Sequence, residues 1–136
     1  MVEKRICNDF VVWLTGGILY FYLEIAFRGY SHYSMLICGG LCFLLVGKTG
    51  QRIEKTCRVE WIRIIKIMIY GALIITGLEF LTGLIVNKIF DVGVWDYSNM
   101  KYNLMGQICL QYSLLWAALS LACVYIYRKL YKYILL

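Results

Sequence analysis

Ile64-Ile-Lys-Ile-Met-Ile-Tyr-Gly-Ala-Leu-Ile-Ile-Thr-Gly-Leu-Glu-Phe-Leu-Thr-Gly-Leu-Ile-Val86 is an apolar run with one carboxylate, Glu79, near its middle. A spanning helix needs roughly 17 to 25 mostly apolar residues, and this run meets that length. A carboxylate at such depth costs several kcal/mol unless it is paired, protonated or facing a water-filled cavity, at roughly +2.5 to 3.5 kcal/mol on insertion scales. The run therefore sets the fold class and also marks a candidate site.

The rest of the chain agrees. Of 136 residues, 62% are hydrophobic and 16% charged, and the mean hydropathy is +0.70, outside the range of soluble globular domains. Further apolar stretches run from Phe10 to Phe27, Ser34 to Val46 and Leu104 to Tyr127. The second is short, covering only about 20 Å of a core about 30 Å thick. It crosses if Tyr30 to Tyr33 and Lys48 to Gly50 extend it, and is re-entrant otherwise. A full crossing sorts the charges better. The reading is an all-α integral membrane four-helix bundle, a single transmembrane domain over 1–136. Its helices are expected over about 10–28, 33–47, 63–88 and 104–128.

Four crossings place both termini and the middle connection on one side. That side then holds every Lys and Arg except Arg28, Lys88 and Lys101. This asymmetry predicts cytoplasmic N- and C-termini in the plasma membrane, and it accounts for the net charge of +6 without a nucleic-acid partner. Membrane lipids are the expected partners of the basic rim. Lys4 and Arg5 ahead of the first run resemble a signal peptide, but Glu24 and Arg28 occupy the place of a cleavage site, so a retained helix is expected. None of the six cysteines falls in an expected outer loop, where disulfides would form. Cys38 and Cys42 share a helical face but read as small buried hydrophobes.

Between Lys48 and Arg63, Ile53, Cys57, Trp61 and Ile64 recur at helical spacing among charges. They predict either a surface helix over about 51–62 or an early start of helix three. The outer connection, Lys88 to Asn103, mixes turn formers with Trp95, Tyr97 and Tyr102, which suit the membrane interface.

Polar residues fall in stripes. Tyr20, Glu24 and Arg28 share one helical face, as do Thr76, Glu79, Gly83 and Asn87, and the spacing of Asn103, Gln107 and Gln111 reads the same way. Depth puts these stripes at the outer end, with Gln111 level with Glu79. They predict an outward-facing polar pocket walled by Glu24, Arg28, His32, Glu79, Asn87, Asp96, Asn103 and Gln107. Of these, Glu24, His32, Glu79 and Asp96 are weak metal candidates. The alternative is glue: an Glu24/Arg28 i, i+4 pair and a hydrogen bond from Glu79 to Gln107 or Gln111, with glycines admitting close packing.

These residues also carry a resemblance. Arg28-Gly-Tyr-Ser-His-Tyr-Ser-Met35, Gly39-Gly-Leu41, Glu79-Phe80 with Gly83 and Asn87, Trp95-Asp-Tyr-Ser98, and Asn103-x-x-Gly-Gln-Ile-Cys109 with Trp116 resemble the CmpB-like small bacterial membrane proteins, the ABC-transporter type IV family. The family pattern has a proline between Ser98 and Asn103, where this chain reads Asn99-Met-Lys-Tyr102. The resemblance implies a permease or transport-associated subunit. No G-x-x-x-x-G-K-[ST] loop is present, so ATP-driven work would need a separate ATPase subunit, docking on Lys48 to Arg63. Four helices give a narrow path, which points to a homo-oligomer. An enzyme acting on lipid or lipid-linked substrates at the outer face is the alternative, although H-E-x-x-H and G-x-S-x-G are absent. The sequence names no cofactor.

Overall fold

The computed structural model describes residues 1–134. Four helices run α1 (Val2–Arg28), α2 (Tyr33–Thr56), α3 (Glu60–Gly83) and α4 (Leu110–Tyr133). Each is long and apolar enough to cross a membrane. At about 1.5 Å per residue, even the 24-residue helices reach about 36 Å, more than the hydrocarbon core.

α2, the helix with the shortest apolar run, is the central one. Half of its most apolar window is buried inside the bundle, against 22%, 17% and 22% for the others. It packs on α1, α3 and α4 in turn, whereas α1 and α4 hardly touch. Its glycines explain this. A Cβ at Gly39 would overlap the Tyr20 ring, one at Gly40 would strike the Trp13 carbonyl, and Gly16 on α1 likewise receives Phe43. With little hydrophobic drive between helices in lipid, such close approach supplies the packing. A central helix needs less apolar surface because less of it meets lipid.

Several boundaries differ from the sequence reading. α1 begins at Val2, eight residues earlier than expected. Residues 51–62 form no separate surface helix: α2 continues to Thr56, Cys57 and Val59 are extended, and α3 starts at Glu60. The chain has to reverse direction here, and a short extended link does so between two long helices. At the other end α3 passes into a π-helical turn, Leu84–Ile89.

The largest difference is at α4. It begins at Leu110, and the residues before it form a small antiparallel hairpin of β1 (Asn103–Leu104) and β2 (Ile108–Cys109), with Asn103 opposite Cys109 and Leu104 opposite Ile108. Met105 and Gly106 both have positive φ, and Gln107 N–H donates to the Leu104 carbonyl at 3.0 Å. Three residues, Met105 to Gln107, connect the strands, and the positive φ at the first two turns the chain within them. Asn103, Gln107 and Gln111 therefore do not share a helical face.

Candidate intramembrane site

Glu79 is buried, 4% exposed, and both its oxygens accept hydrogen bonds. Tyr97 Oη donates to Oε1 at 2.9 Å and Trp116 Nε1 donates to Oε2 at 3.0 Å. Neither donor was the one expected from the sequence. Gln111 is exposed and Gln107 is engaged elsewhere, so the carboxylate is held by two neutral aromatic donors. Tyr97 is fixed in turn by stacking on Tyr112 at 4.9 Å between centroids. Burial and the adjacent Glu79 hold the Tyr97 phenol above its ordinary pKa, keeping it a donor.

Beyond Glu79, the connection between α3 and α4 folds back onto the bundle. Asn87, in the π turn, donates from Nδ2 to Gln107 Oε1 at 2.9 Å and accepts from Val94 N–H at 2.7 Å. Trp95 Nε1 donates to the Gln107 carbonyl at 2.9 Å. Val94 and Trp95 are thereby driven into the end of the bundle against Met35. Gly83 leaves the room for Gln107 and the Trp95 ring. Buried amides with all these partners form a satisfied polar network, which specifies one docking geometry for the connection.

On α1, Glu24 is buried, and its Oε2 lies 2.9 Å from Arg28 Nε, with geometry off-line for a hydrogen bond. Arg28 also reaches the Val94 carbonyl at 3.4 Å. The stripe on α1 and the stripe on α3 thus meet the same connection.

The other three candidates serve local structure. His32 is the N-cap of α2, its Nδ1 accepting from Ser34 N–H at 3.2 Å. Asp96 is exposed and accepts from the Ser98 N–H at 2.9 Å and from the Ser98 hydroxyl. Those bonds, first the hydroxyl's, hold its carboxyl below the usual pKa. Asn103 ties Met100 and Gly106 into the turn. The four weak metal candidates are not gathered: among the described residues no three His, Cys, Asp or Glu side chains are placed to hold a metal ion.

The cavity beside Glu79 has a different character from the pocket expected. It measures about 340 Å³ and is lined by all four helices, including Leu19, Tyr20, Cys38, Ile75, Glu79, Trp116 and Ile126. It fills the gap left where α1 and α4 separate. Leu19, Leu23 and Ile126 at its margin are exposed on the bundle's outer surface, so in a bilayer its margin faces lipid. Nearly all of the wall is apolar; Glu79 supplies its carboxylate. The rings of Tyr20 and Trp116 stand 6.1 Å apart beside it.

Sequence reasoning found the carboxylate and missed its partners. The available signal was chemical: a buried carboxylate needs donors, and Trp116 and Tyr97 are donors free of charge. A family model described as "Putative ABC-transporter type IV" matches residues 21–136, a range that includes Glu79, Tyr97, Trp116 and the docked connection but not Leu19 and Tyr20. No solved structure matches the chain.

Proposed function

The chain belongs to the ABC-transporter type IV family, and from that premise we propose a small transport-associated subunit of the plasma membrane with both termini cytoplasmic. Its intramembrane site is the Glu79 cavity, and its cargo is an amphipathic cation that enters sideways from the bilayer. The observation that carries this is the position of one carboxylate in an otherwise apolar, lipid-facing cavity. A hydrocarbon body matches the wall. A cationic group matches Glu79 and the flanking faces of Tyr20 and Trp116, since aromatic rings attract cations by about 0.5 to 2 kcal/mol.

The docked connection covers the outer end of this site, so release outward requires Asn87, Gln107 and Trp95 to let go. Energy comes from a separate ATPase subunit that meets the basic turn around Lys55, Arg58 and Arg63. A homo-oligomer supplies the width that four helices lack.

The test uses tetraphenylphosphonium, a lipophilic cation without hydrogen-bond donors, and the whole protein in a neutral detergent. The protein binds it, and Glu79→Gln weakens binding at least about tenfold, as loss of a charge at short range in a medium of low polarity requires. No binding by the native chain, or equal binding by the variant, removes the cationic cargo.

A further inference from the structure

A second cavity lies at the opposite end of the bundle, and nothing in the Glu79 reading uses it. It measures about 590 Å³ and is enclosed by the first turns of α1, the second half of α2 and the last turns of α4. Arg5, Lys48, Arg52 and Lys55 line it together with one acid, Asp9. Asp9 is already taken, because its Oδ2 accepts from Lys48 Nζ. Among the described residues Arg5, Arg52 and Lys55 make no ion pair. Three cations therefore converge on one concavity without a counter-charge.

We infer that this cavity binds a phosphate-bearing anion. Positive charges held together by the fold repel one another unless an anion joins them, and concave basic sites focus that field. Two arginines offer planar forks that match phosphate oxygens in pairs, which a lysine cannot do. Tyr131, packed on the buried Tyr127 at 4.9 Å between centroids, gives the cavity an apolar and hydroxyl-bearing wall. A basic pocket between membrane helices at the rim carrying most of the positive charge matches an anionic lipid headgroup. Free phosphate shares the same chemistry.

The positive-inside bias alone would place charge here without building a site, so the test compares two sets of charges at the same end. The full chain in dodecyl maltoside is titrated with phosphatidylglycerol and, separately, phosphatidylcholine of the same acyl chains, with bound lipid counted by native mass spectrometry. Phosphatidylglycerol binds more tightly. The triple variant Arg5→Gln, Arg52→Gln, Lys55→Gln loses at least about tenfold in that affinity, each charge near a membrane surface being worth up to about a factor of five. The control triple Arg58→Gln, Arg63→Gln, Lys66→Gln removes as much charge outside the cavity, where solvent and salt screen it from the bound headgroup, and loses less than about threefold. Arg52→Lys, which keeps the charge and the fold but not the fork, falls between native and triple. Millimolar inorganic phosphate distinguishes the sources: displacement of the lipid assigns the site to the free anion, and no displacement assigns it to the headgroup. Equal losses in both triples, or equal binding of the two lipids, overturns the inference.

Discussion

The α1–α2 seam and the α3–α4 seam are built on opposite principles. Between α1 and α2, aromatic rings and carbonyls fill glycine holes, with Tyr20 over Gly39, Trp13 over Gly40 and Phe43 over Gly16. Between α3 and α4, polar groups meet in a ladder. Thr76 and Ser113 hydroxyls bond at 2.8 Å, Glu79 accepts from Trp116, and Ser120 sits where Gly71 leaves space. Both solve the membrane problem of holding helices together without a hydrophobic drive. The second is centred on a buried carboxylate whose two oxygens both accept hydrogen bonds, so there packing also offers chemistry.

Overpacking breaks the first seam outright. Gly40→Leu pushes a side chain into the Trp13 backbone and separates α1 from α2, with an expected loss of about 3 kcal/mol or more in reversible unfolding in detergent micelles. In the second seam the largest loss comes from Glu79→Ala, which leaves the Tyr97 hydroxyl and the Trp116 N–H without a partner. About 2 kcal/mol is expected by the same measurement. Glu79→Gln costs at most about 1 kcal/mol, because its carbonyl still accepts from Trp116 and the Tyr97 hydroxyl can accept from the amide. Thr76→Val removes a single interhelical bond and costs about 0.6 kcal/mol. An α3–α4 seam more sensitive to Thr76→Val than to Glu79→Ala would invert the comparison.

The smallest effect concerns the connection that covers the second seam. The Asp96 carboxyl is held below its usual pKa by Ser98. Its contribution is therefore present above the unfolded value of about 3.9 and is lost as pH falls through the lower folded value. Asp96→Asn removes this acid-side loosening. The resolved NMR signal of the Trp95 indole N–H, which reports whether the connection is docked, then shows no change in that pH window.

The spans were legible because apolar length alone decides them, and the α3 stripe was legible because Glu79, Gly83 and Asn87 do turn together toward α4 and the connection. The hairpin was not. Asn103, Gln107 and Gln111 repeat every four residues, and that period imitates a helix as long as Met105-Gly106 is read as helical. Backbone with positive φ at both positions leaves no mark on polarity, so the periodicity was misleading there. The π turn is likewise silent in composition. Trp116 and Tyr97 were visible, but an aromatic residue in a membrane protein has an adequate reason to sit at the interface, and only the fold directs these two at a carboxylate. α2 is a full-length helix, as the sorting of charges predicts. Its short apolar run reads as weakness, whereas it reflects a helix shielded from lipid by its neighbours.

Whether Glu79 is kept for chemistry or for cohesion is decided by measuring unfolding free energy and tetraphenylphosphonium affinity side by side on Glu79→Gln. The account expects stability within about 1 kcal/mol of the native chain together with a loss of cation affinity of at least about tenfold. Stability lost with affinity retained would contradict it, and would make the carboxylate a fastener between α3, α4 and the connection that joins them.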